Sequence, residues 1–250
     1  MSKINLSVVS YLNTKPFLYG LYANDLDQYL NIKLDVPSSC AAKLLRAEAD
    51  LGLVPVAVIP HLKNPKLVSS YCIGTEGEVK TVVIYSQVPI QAVTHLYLDY
   101  QSITSAALTK YLLTSHWKVQ PTLIQTQPGY ETKIDGTHAG LVIGDRAIDL
   151  KEKFGYAYDL GSAWREHTGL PFVFAAWVAI RPLAADLLIA FDKALAYGVE
   201  RVEQVAAMFQ SYHPNFEVYK YYTQHINYQL DKGKQEGLDR FLRILRSNRF

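Results

Sequence analysis

Cysteine is scarce in this sequence, net charge is close to zero, and no apolar run is long. Cys40 and Cys72 are the two cysteines among 250 residues, and one isolated pair does not make a disulfide framework, so we expect free, buried thiols. The 25 Lys and Arg residues nearly balance the 23 Asp and Glu residues, which argues against nucleic acid as the main partner. The longest apolar stretch, residues 170–180, falls short of the ~20 residues that span a bilayer, so we expect no membrane helix.

The sequence also lacks the short motifs of several common chemistries. It contains no G-x-S-x-G, no G-x-x-x-x-G-K-[ST], no H-E-x-x-H, no strand-linked G-x-G-x-x-G and no C-x-x-C. Its seven histidines show no spacing typical of metal ligands. We therefore expect no metal site, no nucleotide cofactor and no catalytic triad.

The first residues, MSKINLSVV, pass directly from one lysine into a strand-like run. They contain neither the apolar segment nor the small-residue cleavage site of a secretory signal peptide. We expect a protein that is not exported.

Short β-rich runs alternate with helical patterns along most of the chain, which predicts an α/β fold with mixed, mainly parallel sheets. A first group of predicted strands covers 4–9, 32–36, 51–54 and 66–73, and a second group lies near 95–99, 120–125 and 139–143. After Pro182 the pattern becomes helical. Two groups of this kind predict two lobes.

Two further β-rich segments, TVVIYS at 81–86 and FVFAAWVAI at 172–180, stand between these groups. We expect them to be paired crossover strands that form a two-strand hinge. The predicted first lobe then contains residues 1–85 and 174–250, with the C-terminal helices packed on it, and the inserted second lobe contains residues 86–173. A cleft at the hinge is the expected ligand site.

Hydroxyl and amide side chains recur where a predicted strand is followed by a predicted helix. The clusters are Asn13 with Thr14, Ser38 with Ser39, and Ser102 with Thr104 and Ser105. Each cluster taken singly is typical of a helix N-cap. Together, at strand ends on two lobes, they predict one cleft whose donors and free helix amides suit a ligand with carboxylates.

Charged residues near the same junctions leave alternatives open. Asp145 follows a predicted strand and is placed either to cap the next helix or to meet a ligand hydroxyl. Lys15 and Arg146 are the basic residues nearest the predicted cleft, and both are equally compatible with solvent exposure.

Six segments, in this order, resemble one enzyme family: VSYLNTKPFLYGL, DVPSS with LLRAEADLGLVPVA, IGTEGEVKTVVIYSQVPI, LDYQSITSAALTKYLL, AGLVIGDRAI and DLGSAWREHTGLPFVFAAWVA. The family is the chorismate dehydratases of the futalosine route to menaquinone, and the resemblance covers most of residues 7–180. It implies the two-lobed fold of type 2 periplasmic solute-binding proteins and a cytoplasmic, cofactor-independent hydro-lyase. The implied reaction removes water from chorismate, a small dicarboxylate, to give 3-[(1-carboxyvinyl)oxy]benzoate.

The resemblance also implies roles for single residues. Asn13 would orient the reacting ring, and Thr81 stands at a hinge position where the family often has Ser. The other implied substrate contacts are Ser10 and Tyr11 at the same loop, Lys15, Ser102, Ser39 with Thr104 and Ser105 for the carboxylates, and Asp145 near the leaving hydroxyl. Ile103 stands where many relatives have a basic residue, so Lys15 or backbone amides would have to compensate. The proton acceptor stays open between an Asp, a bound water and the substrate's own enolpyruvyl carboxylate.

Two other functions fit the same fold. A solute-binding protein would close on a carboxylated metabolite without changing it. The sister dihydroxynaphthoate synthase of the same pathway would act on a cyclised futalosine derivative, although its motifs match SYLNTKPF and GEVKTVVIYS less well.

Overall fold

Two β-sheets organise the chain, as seen in a computed structural model that describes residues 3–150 and 153–247. The first sheet, in the described residues, has the order β11-β4-β10-β3-β1-β2. Its strands are β1 (Ile4–Val9), β2 (Leu30–Asp35), β3 (Leu51–Pro55), β4 (Lys66–Thr75), β10 (Phe172–Ala179) and β11 (Asn227–Gln229). Strand β1 runs parallel to β2 and β3, whereas β10 is antiparallel to β3 and β4.

The second sheet is also mixed and has the order β7-β6-β8-β5-β9. Its strands are β5 (Val82–Ser86), β6 (His95–Leu98), β7 (Thr122–Gln125), β8 (His138–Ile143) and β9 (Tyr156–Asp159). Strand β6 runs parallel to β7 and β8, and β5 is antiparallel to β8 and β9. The α/β class with two mixed sheets, predicted from the sequence, is confirmed.

Helices cover these sheets and connect their strands. They are α1 (Lys15–Ala23), α2 (Pro37–Leu45), α3 (Ile103–Ser115), α4 (Asp145–Ile148), α5 (Leu160–Thr168), α6 (Ala185–Val199), α7 (Val202–Gln210), α8 (Val218–Lys220) and α9 (Lys232–Ser247). Short 3₁₀ segments include Leu12–Thr14 and Val56–His61, and a π-helical turn spans Tyr221–His225. Within the described residues, no helix combines the length and apolarity that crossing a bilayer requires.

The two segments predicted to pair as hinge strands lie in different sheets. Strand β5 lies between β8 and β9, and β10 lies between β3 and β4. Both strands are buried along their whole length, and a fully apolar strand gains most from a central position in a sheet. The expected pairing is therefore wrong, and the chain passes between the sheets through residues 76–81 and 169–171. The domain limits at residues 85 and 173 stay a prediction, although this pairing favours limits a few residues earlier.

The core of the first lobe holds the loop after β1 in place. Phe17 in α1 is fully buried and packs edge-on against Trp177 of β10 at a centroid distance of 5.6 Å. Helix α1 also crosses α6 closely, because Gly20 and Gly198 leave room for each other's backbone. Cys40 and Cys72 are free and buried, as expected from the sequence.

Candidate active site

A small cavity lies between the two sheets and contains two of the predicted site clusters. Its apolar wall comes from strands of both lobes and includes Val9, Leu53, Ile73, Val82, Ile143 and Phe174. Its polar side chains are Tyr11, Asn13, Thr14, Thr81, Ser102 and Ser105. The cavity volume is about 50 Å³, below the ~150 Å³ that holds a benzene molecule. The lobes must therefore separate to admit a ring-sized ligand.

The turn Leu12–Thr14 brings Asn13 to this cavity. Thr14 Oγ1 donates to the backbone oxygens of Val9, at 2.6 Å, and Tyr11, at 2.7 Å, so the turn is closed onto the end of β1. Pro16 then occupies the first turn of α1, where a missing N–H is tolerated. Neither Asn13 nor Thr14 makes a side-chain cap bond to the helices that follow. The N-cap explanation is therefore wrong for this cluster.

Asn13 has an unusual hydrogen-bonding state. Its Oδ1 is buried and, among the described residues, has no hydrogen-bond partner. An unpaired buried acceptor costs about 1–3 kcal/mol. An oxygen of this kind at the wall of a cavity is suited to receive a hydrogen bond from a ligand.

Thr81 also lines the cavity; it lies immediately before β5 and is 1% exposed. Its Oγ1 is 2.8 Å from the hydroxyl oxygen of Tyr221. The Asn13 amide also lies beside that hydroxyl, where it opposes the rise in the Tyr221 pKa that burial causes. The two residues predicted to be catalytic are thus joined through a tyrosine that sequence reasoning missed.

Two more tyrosines of the C-terminal segment fix the turn that carries Asn13. Tyr222 donates its hydroxyl to the backbone oxygen of Leu12, and Tyr228 donates to that of Asn13, both at 3.0 Å. The sequence holds a signal for this role, since four tyrosines fall within residues 219–228. The C-terminal segment therefore contributes directly to the site.

Helix α3 points its N-terminus at the cavity. Ser102 is its N-cap: Ser102 Oγ accepts from the Ser105 backbone N–H at 3.1 Å and donates to Ser105 Oγ at 3.0 Å. Both serines line the cavity. The first-turn amides of Ile103 and Thr104 have no partner within the helix by its geometry. The N-cap interpretation is confirmed here, and the same residues also border the cavity.

Thr104 and Asp145 connect the lobes instead of lining the cavity. Thr104 Oγ1 accepts from the Ala57 backbone N–H at 3.0 Å, and the Asp145 carboxylate accepts from the Leu12 N–H at 3.0 and 3.2 Å. Tyr11 adds a third bond, from its hydroxyl to Gln101 Oε1. Burial raises the pKa of Asp145. The predicted contacts of Thr104 and Asp145 with substrate stay predictions, because both side chains accept hydrogen bonds from the other lobe.

Ser10, Lys15 and Ser39 lie near the cavity but do not line it. The Lys15 ammonium lies over the Phe209 ring, 5.4 Å from its centroid, and the Arg146 guanidinium contacts Asp99 at 2.6 Å. No lysine, arginine, histidine or carboxylate is among the described residues that line the cavity. Its chemistry therefore rests on hydroxyls, amides and one unpaired carbonyl oxygen.

Asp159 secures the segment that joins β4 to β5. Its carboxylate accepts from the backbone N–H groups of Val79 and Lys80, at 2.8–3.1 Å, and also caps α5. Burial raises its pKa to about 6. The crossing between the lobes that carries Thr81 is therefore held by a titratable group.

Comparisons with known proteins bear on this site as a whole. Over residues 4–247 the chain matches the model of a family described as menaquinone biosynthesis. A chorismate dehydratase from Thermus thermophilus is 28% identical over an alignment of 265 positions, and the alignment covers 92% of this chain and 96% of that protein.

Solved structures agree on the fold. A protein from Archaeoglobus fulgidus superposes with a TM-score of 0.73 at 14% identity, over 98% of this chain and 97% of the other. The periplasmic aliphatic sulphonate binding protein of Escherichia coli superposes with a TM-score of 0.60 at 13% identity, over 100% and 93%. The chain has the fold of periplasmic binding proteins.

Proposed function

The chain belongs to the menaquinone biosynthesis family, and on that premise we propose that it is a chorismate dehydratase. The reaction is the elimination of water from chorismate to form 3-[(1-carboxyvinyl)oxy]benzoate. The 28% identity with a chorismate dehydratase over most of both chains supports this choice within the family.

The single observation that carries the proposal is that Asn13 and Thr81 both line one apolar cavity. The apolar wall suits a six-membered carbon ring, and the unpartnered Asn13 Oδ1 supplies an oriented acceptor beside it. The Thr81 hydroxyl supplies a donor for the departing ring hydroxyl. An elimination that yields an aromatic ring is strongly downhill, so alignment and a few oriented hydrogen bonds suffice.

One carboxylate of the substrate is assigned to the N-terminus of α3. The free first-turn amides, the helix dipole and the Ser105 hydroxyl favour a negative charge there. Ile103 is 41% exposed and cannot replace the basic residue expected from the family resemblance. Backbone amides, rather than Lys15, then make up for that residue.

The residues that line the cavity limit the choice of proton acceptor. The Asp145 carboxylate lies outside the lining and accepts the Leu12 N–H through both of its oxygens, and the described lining residues include no carboxylate and no imidazole. We assign the acceptor to a bound water or to the substrate's enolpyruvyl carboxylate. The proposal includes a cytoplasmic location, and the two free thiols are compatible with it.

The test is incubation of the purified protein with chorismate, without added cofactor or metal, followed by chromatography with mass detection. The expected result is enzyme-dependent loss of one water and appearance of the enolpyruvyl benzoate, absent from a control without protein. Intact chorismate with measurable binding would replace this proposal by a solute-binding role. Intact chorismate with turnover of a cyclised futalosine derivative would identify the sister dihydroxynaphthoate synthase.

A further inference from the structure

The Tyr221 hydroxyl lies beside both residues assigned to the reaction, Thr81 and Asn13. We propose that Tyr221 is a positioning residue that aims the Thr81 hydroxyl hydrogen into the cavity, and this inference rests on the proposed dehydratase function. The residue comes from a π-helical turn, Tyr221–His225, more than a hundred residues away in the chain. Such turns occur frequently at functional sites.

The direction of the hydrogen bond follows from the partners available to Tyr221. Burial raises the pKa of this phenol, so it keeps its single hydrogen. Thr81 Oγ1 lies 2.8 Å from the Tyr221 hydroxyl oxygen. The Asn13 amide lies beside the same oxygen, but Asn13 Oδ1 accepts no hydrogen bond from the described residues. The Tyr221 hydrogen therefore goes to Thr81 Oγ1, which acts as the acceptor.

This arrangement leaves the hydrogen of Thr81 available. The one protein acceptor described within its reach is the Val79 backbone oxygen, at 3.5 Å, which is too far for a strong bond. Thr81 lines the cavity, so a ligand oxygen there is the better acceptor. Tyr221 thus sets Thr81 as a donor, while Asn13 Oδ1 remains an acceptor.

The ring of Tyr221 is held independently of its hydroxyl. It packs edge-on against Phe216 at a centroid distance of 5.2 Å and lies 5.9 Å from the Tyr222 ring. A Tyr221→Phe variant keeps these contacts and removes one hydroxyl group. The matched control is Tyr85→Phe, because Tyr85 is equally buried and donates to the Ala147 backbone oxygen at 2.8 Å, outside the cavity lining.

The experiment measures kcat, KM and the melting temperature for wild type and variants with chorismate. We expect Tyr221→Phe to lower kcat about tenfold while KM changes less than about twofold, because the donor is needed when charge develops on the leaving oxygen. Tyr85→Phe should lose comparable stability and keep its kcat. Thr81→Ser retains the hydroxyl and should retain most activity, whereas Thr81→Ala should not.

Combining the substitutions tests the route through Thr81. If Tyr221 acts by aiming Thr81, then Tyr221→Phe has little further effect on kcat in a Thr81→Ala background. A full second tenfold loss, or an unchanged kcat in Tyr221→Phe alone, overturns this inference while wild-type turnover leaves the proposed function standing. Absence of wild-type turnover overturns the proposed function, and this inference fails with it.

Discussion

A buried carbonyl oxygen without a partner destabilises a protein, and Asn13 places one at the cavity wall. We therefore expect Asn13 to be dispensable for stability but required for turnover. We expect Asn13→Ala to leave the melting temperature unchanged or slightly raised and to lower kcat at least about tenfold, because one oriented hydrogen bond in the transition state is lost. Thermal melts and steady-state assays on the same preparation check both parts.

The matched control is Asn24→Ala. Asn24 is an exposed asparagine at the C-terminal end of α1 that donates to the Gly20 backbone oxygen. This variant should keep full turnover. Undiminished turnover in Asn13→Ala would mean that the unpaired oxygen has no part in the reaction.

Single residues of the site were predictable where the signal is local. Asn13, Thr81 and Ser102 were placed from strand-to-helix junctions and from family resemblance, and all three line the cavity. The position of the Lys15 side chain was not predictable, because it lies over the ring of Phe209, on a helix far along the chain; its contact with substrate stays a prediction. Tyr221 was missed for the same reason, since nothing near it in sequence indicates that it reaches Thr81.

Among the elements, α1 and α6 set the position of the turn Leu12–Thr14. A Cβ on Gly198 would lie 1.8 Å from the Pro16 backbone oxygen, and one on Gly20 would lie 1.9 Å from the Ala194 oxygen. Neither backbone can move without shifting a helix. The pair therefore fixes the helix that begins one residue after Thr14.

We expect Gly198→Ala to lower the free energy of unfolding by about 3 kcal/mol or more, at the upper end of overpacking costs, and to reduce kcat because α1 is displaced. Urea unfolding monitored by circular dichroism gives the first value. Gly77→Ala is the control, since a Cβ there meets nothing within 4 Å, and its stability should change by less than about 0.5 kcal/mol. Equal stabilities for the two variants would contradict this account.

At the level of elements, hydrophobic periodicity predicted whether a segment is a helix or a strand better than it predicted which strands pair. The apolar face of α9 was read from the spacing of Leu238, Phe241 and Leu242, which are buried. The strands β5 and β10 were recognised, yet their pairing was wrong. Both strands are buried along their whole length and carry no alternation of polar and apolar residues that shows which sheet receives them, so only the folded chain distinguishes the two places.

For the molecule as a whole, the bonds across the cleft hold the lobes together. We expect Thr104→Val, which removes the acceptor for the Ala57 N–H, to increase the radius of gyration in small-angle scattering. The lobes of the free protein must open to admit a ligand, and a dicarboxylate analogue should then shift the population toward the closed form and compact the wild type, because it recruits donors from both lobes. A wild type that does not become more compact would contradict closure on the ligand.

Thr109→Val is the matched control for that experiment. Thr109 lies on the same helix, is fully buried, and its Oγ1 has no partner among the described residues. The substitution removes the same hydroxyl without touching the cleft. An equal change in the radius of gyration would assign the effect to α3 packing instead of lobe contact.

The crossing between the lobes should also make stability depend on pH through Asp159. Its folded pKa of about 6 exceeds the ordinary value of about 3.9, so the folded state binds more protons between these values. Its contribution to the free energy of unfolding then falls as pH rises from about 4 to about 6 and is constant above that.

We expect the difference in unfolding free energy between wild type and Asp159→Asn to fall by about 2 kcal/mol from about pH 4.5 to about pH 7. Urea titrations at both pH values measure it. Identical pH dependence in the two proteins would show that Asp159 has an ordinary pKa in the folded state.

Strand β10 lies in the middle of the first sheet, yet the ribosome makes it only after every strand of the second sheet. The facing edges of β3 and β4 therefore stay unpaired while about a hundred residues are added, which takes ~5–20 s at ordinary rates of synthesis. The second sheet is complete in sequence during that interval and has no need of β10. A nascent chain of this protein thus carries a folded inserted lobe beside an unfinished first sheet, and its need for chaperones is concentrated on the lobe that was begun first.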